Sequence, residues 1–112
     1  MNFFIDILSL TATATTLFDE GDLVDFNDAK IVTDDQPVKG VAKHPATEVG
    51  MSVALVAIGV GRSRASGAIT KGAKLISAAG GGVKAAGATP ANAFATALTA
   101  AANGEFVSYL VR

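Results

Sequence analysis

The chain has 112 residues, of which 50% are hydrophobic and 17% charged, with a formal net charge of −1 and no cysteine. A chain of this length forms one domain around a single core, and without cysteine it has neither disulfides nor thiolate metal sites. So few charged residues leave little charge to cover the surface, which indicates that a partner covers part of it.

Charge is distributed unevenly along the chain. Residues 1–50 hold nine acidic and three basic residues, a net charge of −6, whereas residues 51–112 hold one acidic and six basic residues, a net charge of +5. Halves of opposite sign suit contacts within the fold or between neighbouring copies, and two solvated faces explain them equally well. Because the whole chain is nearly neutral and its basic residues have no aromatic residues interleaved, we expect no nucleic-acid binding.

The first ten residues, MNFFIDILSL, are not expected to act as a targeting signal. They carry Asp6, lack a basic n-region and precede no small-residue cleavage site, so a secretory signal is not expected. No segment of the chain reaches the roughly 18 consecutive apolar residues of a membrane span. We therefore expect no membrane partner.

The N-terminal segment is extended. FFIDILSL, residues 3–10, alternates with a period of two and is apolar on both faces, and the following TATATT adds β-branched Thr, which favours extended chain. This pattern predicts an extended N-terminal strand or arm over residues 1–16, followed by a single β-barrel-like domain over residues 17–112. An arm exchanged with a neighbour and an ordinary first strand are equally compatible with it.

The run SVALVAIGV, Ser52 to Val60, is apolar on both faces, which predicts a strand buried on both sides. Several shorter apolar runs follow a glycine, at Gly21, Gly50, Gly72 and Gly104. Glycine is expected there because the chain must turn sharply before each strand. Short strands with Gly-led turns are typical of an all-β protein, a small β-barrel or sandwich.

Residues 89–104, TPANAFATALTAAANG, allow two interpretations. Thr89 as N-cap, Pro90 at the first helical position and an apolar stripe predict a helix at about 90–102, which would make the fold α+β. Alternation within the same residues, with an Asn103-Gly104 turn before the final alternating run EFVSYLVR, predicts a hairpin of two strands instead.

No catalytic, cofactor or metal site is expected. His44, the only histidine, lies in a predicted loop, and no serine lies in a Gly-x-Ser-x-Gly motif. GVGRSR, residues 59–64, lacks the third glycine of a dinucleotide loop. The acidic pairs Asp19-Glu20 and Asp34-Asp35 lack the ligand spacing of an EF-hand loop. Arg62 and Arg64, two apart on an extended segment, would share a face and suit a phosphate or a partner's carboxylate.

The order of the segments resembles a known family. FDEGDLVDF, PVKGVAKHPATEVGMSVALVAIGV, AITKGAKLISAAGGGVKAAG and ALTAAANGEFVSYLVR follow one another between Thr11 and Arg112. In this order they resemble the small capsid decoration, or cement, proteins of tailed bacteriophages. Each motif is short, so the specificity of the resemblance lies in the order.

The resemblance implies a structural virion protein, not an enzyme, that binds the outer capsid surface and stabilises the capsid by bridging major capsid protein subunits. It also implies a homo-oligomer, with a trimer favoured over a dimer, and a strand over about residues 93–100. The competing hypothesis is a soluble β-barrel ligand- or peptide-binding module unrelated to virions. The candidate interface residues are Phe3, Phe4, Ile5, Ile7, Leu8, Arg62 and Arg64.

Overall fold

The fold is known from a computed structural model, which describes residues 5–79, 81–87, 90 and 92–111, with the backbone alone for residues 5–7. These residues form β-strands and no helix. The strands are β1 (Ile5–Thr13), β2 (Leu23–Val24), β3 (Gly40–Ala42), β4 (Ser52–Arg64), β5 (Lys74–Ser77), β6 (Val83–Ala85), β7 (Ala95–Ala97) and β8 (Phe106–Val111).

The eight strands belong to one antiparallel sheet that curls into a half-barrel. Its strand order is β2-β3-β4-β8-β7-β5-β6, and β1 pairs with β4 beside this path. Among the described residues, the end strands β2 and β6 do not pair with each other, and an isolated bridge joins Ala65, just after β4, to Val83 in β6. The predicted all-β fold is confirmed.

The long strand β4 organises the sheet. Its first nine residues, Ser52–Val60, pair with β1 along one edge. Leu55 and Val56 pair with β3, and Gly59–Arg64 pair with β8. Since Leu55 and Gly59 each pair with β1 as well, β3 and β8 must follow one another along the opposite edge of β4.

The first half of β4 is buried on both faces, as its apolar sequence predicted. Val56 belongs to the main core inside the half-barrel, whereas Val53 and Leu55 belong to a second cluster on the other face. The main core also contains Leu23, Ile31, Val41, Ala65, Ile69, Leu75, Val83, Ala95, Ala97, Ala101, Val107, Tyr109 and Val111. The second cluster is completed by Ala12, Ala14, Phe18, Val24, Ala42 and Ala46.

The glycines at the predicted turns all adopt left-handed backbone conformations, with φ of 86° at Gly21, 91° at Gly50, 86° at Gly72 and 87° at Gly104. At Gly21 space is also limiting. A Cβ atom there would lie 2.6 Å from the carbonyl oxygen of Arg62, so the turn can rest directly on β4 only if this residue has no side chain.

The helix interpretation of residues 90–102 is wrong for the described part of that segment, and the strand is shorter than the predicted 93–100. β7 comprises only Ala95–Ala97, paired with β5 on one side and β8 on the other. Ala95 and Ala97 are buried in the main core, and the Phe94 ring packs edge-on against Tyr109 at 5.5 Å. Pairing on both edges outweighs the local helix signals, as tertiary context commonly does.

Candidate interaction surfaces

The structure places the candidate interface residues in two separate regions. Leu8 lies in β1, and its register partner in β4 is Ile58. Arg62 and Arg64 lie four and six residues further along β4, beside β8. Of the remaining candidates, Ile5 and Ile7 contribute backbone to β1, and Phe3 and Phe4 lie outside the described residues.

The first region is an exposed apolar patch at the side of the sheet, here called the edge surface and comprising Leu8, Leu10 and Ile58. Their side chains are 44%, 37% and 36% exposed, respectively. β1 pairs with β4 along one edge, and no described strand pairs with its other edge. Register shifts on both sides of Leu8 interrupt the alternation of β1 at this point. The patch therefore combines apolar side chains with a strand edge.

An ion pair covers the second half of that edge. The Thr13 N–H donates to Asp28 Oδ2 at 3.0 Å, and Lys39 Nζ donates to the Thr11 carbonyl oxygen at 3.2 Å. Lys39 Nζ also lies 2.6 Å from Asp28 Oδ1. The hydrogen bond from Lys39 lowers the pKa of Asp28 from its ordinary value. This pair, called the edge cap below, occupies the backbone groups that a further strand would need from Thr11 onward.

The second region is a cluster of Arg62, Arg64 and Phe106 on the outer face of β4 and β8, here called the Arg-Phe-Arg cluster. The guanidinium carbons of Arg62 and Arg64 lie 4.0 and 4.4 Å from the centroid of the Phe106 ring. Arg64 Nη1 also donates to the Gly104 carbonyl oxygen at 2.8 Å. The ring is still 43% exposed. The cluster therefore presents two cations and an aromatic ring to the surroundings.

The sequence predicted that Arg62 and Arg64 share a face, but not that Phe106 joins them. The available signal was the alternation of β8, which places Phe106 on the side opposite the buried Val107 and Tyr109. The missing information was the register that sets Arg64 directly opposite Phe106. Arg64 and Phe106 are 42 residues apart, and the register between strands so far apart in sequence cannot be obtained from periodicity.

An acidic turn, Asp19–Asp22, faces the Arg-Phe-Arg cluster across a cleft of about 380 Å³. The turn is fixed to β4 by a buried chain of hydrogen bonds, in which Tyr109 Oη donates to Ser63 Oγ and Ser63 Oγ donates to the Gly21 carbonyl oxygen. Burial raises the pKa of Tyr109 above its ordinary value. These hydroxyls are enclosed and hydrogen-bonded, so their role is to hold the turn against the sheet.

The described residues contain no group of three or more His, Asp or Glu side chains arranged to hold a metal ion. His44 Nε2 accepts a hydrogen bond from the Ala54 N–H at 3.3 Å, which ties its imidazole to the backbone of β4. The described residues also contain no helix that is long and apolar enough to cross a membrane.

The same fold occurs in a phage head. The crystal structure of the N base of head fiber gp8.5 from bacteriophage phi29 matches with a TM-score of 0.75 and 18% sequence identity, over 94% of this chain and 93% of that chain. At this identity the likeness shows a shared fold. No curated protein matches the sequence.

The half-barrel is thus a fold that also occurs in the N base of a phage head fiber. More specifically, the sequence model of the phage cement proteins matches residues 5–112, and the chain belongs to that family. The protein is accordingly a structural component associated with the phage capsid. Membership also decides between the two hypotheses from the sequence, against a binding module unrelated to virions.

Proposed function

We propose that this protein binds the outer surface of an assembled phage capsid and stabilises it by bridging subunits of the major capsid protein. The observation that carries the proposal is membership of the phage cement protein family over residues 5–112. The edge surface supports it, because an apolar patch beside a strand edge is suited to adhesion and not to catalysis.

The mechanism is adhesive. An extended capsid segment adds to β1 before Thr11, where the edge cap begins, and its apolar side chains cover Leu8, Leu10 and Ile58. Burial of this apolar area provides the driving force, and backbone pairing fixes the direction of the segment. Separation of two capsid subunits then requires these contacts to break as well. The proposal extends to Phe3, Phe4, Ile5 and Ile7, which precede Leu8 in the sequence.

We further propose that the protein acts as a homo-oligomer, with a trimer favoured over a dimer, as the family resemblance implies. An oligomer presents several edge surfaces at once. Simultaneous attachment raises the effective concentration of each later contact, so weak individual contacts suffice.

Reconstitution tests the proposal. Capsids assembled without this protein are mixed with the purified chain, sedimented and heated, and the bound fraction and the temperature of capsid rupture are measured. We expect binding to saturate at a fixed number of copies and to raise the rupture temperature. Absence of the chain from purified particles, measured by mass spectrometry, would contradict the proposal.

Two variants test the edge surface. Leu8→Asp and Ile58→Asp each place a charge on the surface and should lower capsid affinity by ~10-fold or more, because a buried unpaired carboxylate is costly. Val49→Asp is the matched control, since Val49 is 69% exposed in the turn before β4 and lies outside the surface. Equal binding by all three variants would exclude the edge surface from the contact.

A further inference from the structure

Opposite charges line the cleft between the acidic turn and the Arg-Phe-Arg cluster. Within the described residues, the carboxylates of Asp19 and Glu20 form no ion pair, whereas Asp22 lies 3.4 Å from Lys30 Nζ. Across the cleft, the Arg64 guanidinium has five N–H donors, of which one is used by the Gly104 carbonyl. The cleft is also lined by Lys30, which pairs with Asp22, so Asp19 and Glu20 supply the unpaired acidic charge of one wall and Arg64 the basic charge of the other. Each wall keeps hydrogen-bonding capacity for a partner.

Both walls are fixed before any partner binds. On the acidic side, the Gly21 N–H donates to the Ala42 carbonyl at 2.9 Å and the Asp19 N–H donates to Asp22 Oδ2 at 2.7 Å. On the basic side, the Phe106 ring holds the two guanidinium groups. Little backbone entropy of the turn remains to be lost on binding, which favours affinity.

The mixed charge restricts the partner. A uniformly acidic partner that approached Arg64 would meet Asp19 and Glu20, and a uniformly basic one would meet Arg64, so each would bring like charges together unfavourably. A second copy of this chain avoids both conflicts, because it presents an acidic turn and a basic cluster in the same fixed arrangement. The net charge of −1 also leaves little repulsion between copies.

We propose that the acidic turn of one copy contacts the Arg-Phe-Arg cluster of the next copy. Asp19 and Glu20 pair with the neighbour's Arg64 guanidinium, and the contact covers the Phe106 ring. Aromatic and Arg side chains are enriched among the residues that dominate interface energies. This inference rests on the proposed homo-oligomer and locates the contact that forms it, which is distinct from the edge surface for the capsid.

Charge exchange tests the contact with purified protein and no capsid. Asp19→Lys/Glu20→Lys makes both walls basic, and Arg64→Glu weakens the basic wall while adding an acid to it. We expect each variant alone to show a dissociation constant raised by ~10-fold or more, measured by sedimentation and native mass spectrometry. An equimolar mixture, with one variant isotope-labelled, should form mixed oligomers at concentrations at which each variant alone is monomeric. Wild-type association should weaken as salt rises from about 0.05 to 0.5 M.

Glu48→Lys and Lys71→Glu are the matched controls, because they reverse exposed charges in other turns and should leave association unchanged. If Arg64→Glu fails to fold, Arg64→Gln removes the charge while retaining hydrogen-bond donors, and the acidic-turn variant tests the contact independently. A wild-type oligomer that neither variant weakens would overturn this contact while leaving the oligomer itself in place. A wild-type chain that stays monomeric would overturn both the contact and the homo-oligomer. Capsid binding is measured in a separate experiment.

Discussion

Ser63 and Tyr109 form a buried hydrogen bond that joins β4 to β8 at 2.5 Å between hydroxyl oxygens. Both side chains are almost completely buried. Because Ser63 gives its only hydroxyl proton to the Gly21 carbonyl, Tyr109 must be the donor to Ser63. The pair thus connects three parts of the chain, β4, β8 and the acidic turn, through two hydroxyl groups.

Removal of these hydroxyls should destabilise the fold to different extents. Tyr109→Phe deletes one hydrogen bond and leaves Ser63 bonded to Gly21, so we expect a loss of about 1 kcal/mol in the free energy of unfolding. Ser63→Ala leaves both the Tyr109 hydroxyl and the Gly21 carbonyl without a partner, and should cost about 2 kcal/mol or more. Urea denaturation measures both values. A larger loss for Tyr109→Phe than for Ser63→Ala would contradict this arrangement.

Burial of Tyr109 also predicts how stability depends on alkaline pH. The pKa of Tyr109 is raised in the folded state, so above about pH 10 the unfolded chain releases the phenolic proton while the folded chain retains it. The contribution of Tyr109 to stability should therefore be fully present below about pH 10 and be lost as the pH rises further. Tyr109 is the only tyrosine, and there is no tryptophan, so tyrosinate absorbance near 295 nm reports this group alone. We expect the absorbance to appear together with loss of β-sheet circular dichroism. A tyrosinate signal at pH 10–11 from folded protein would refute the prediction.

The edge cap predicts the response to acid. Lys39 lowers the pKa of Asp28 in the folded state, so its contribution to stability is present above about pH 4 and is lost as the pH falls through the folded-state pKa. Asp28→Asn should flatten the stability profile in this range, as measured by denaturation from pH 2 to 6. Asp34→Asn is the matched control, because Asp34 also pairs with a lysine, Lys84, but is more exposed than Asp28. The Asp34 variant should change the profile less.

Two turn glycines should differ in their tolerance of alanine. Gly21→Ala combines a φ of 86° with a Cβ position 2.6 Å from the Arg62 carbonyl oxygen, so the turn must move away from β4. We expect a cost of about 3 kcal/mol or more, of which roughly 1–2 kcal/mol comes from the left-handed conformation. Gly50→Ala has a φ of 91° with no atom within 4 Å of the new Cβ, and should cost only about 1 kcal/mol. Thermal and chemical denaturation distinguish the two, and equal losses would count against the close approach at Gly21.

Local sequence patterns predicted the strands of this fold better than they predicted which strands pair with each other. The apolar run from Ser52 to Val60 was correctly predicted as a strand, and it is buried on both faces from Val53 to Val56, but Ile58 is exposed. The local signals for Ala95–Ala97 conflicted, since alanine favours a helix, whereas the strand forms by pairing with β5 on one side and β8 on the other.

The surfaces were only partly predictable for the same reason. The alternation rule placed Arg62 and Arg64 together, yet their contact with Phe106 depends on the register of β4 with β8. The edge cap was not predicted at all, because Asp28 and Lys39 belong to separate loops and each contacts the edge of β1 only in the folded sheet. Contacts of this kind follow from the assembled sheet and not from any single segment.

The pairing of β4 at Gly59 has a consequence for the connectivity of the molecule. Asp6 in β1 and Val111 in β8 are the register partners of Gly59 on its two sides. Asp6 in the first strand and Val111 in the last strand therefore lie only two strand spacings apart, about 10 Å. About three extended residues span that distance. The chain is therefore close to a closed loop, and a circular permutant joined at this point, with new ends opened at the uncrowded Gly67 turn, retains every strand of the sheet.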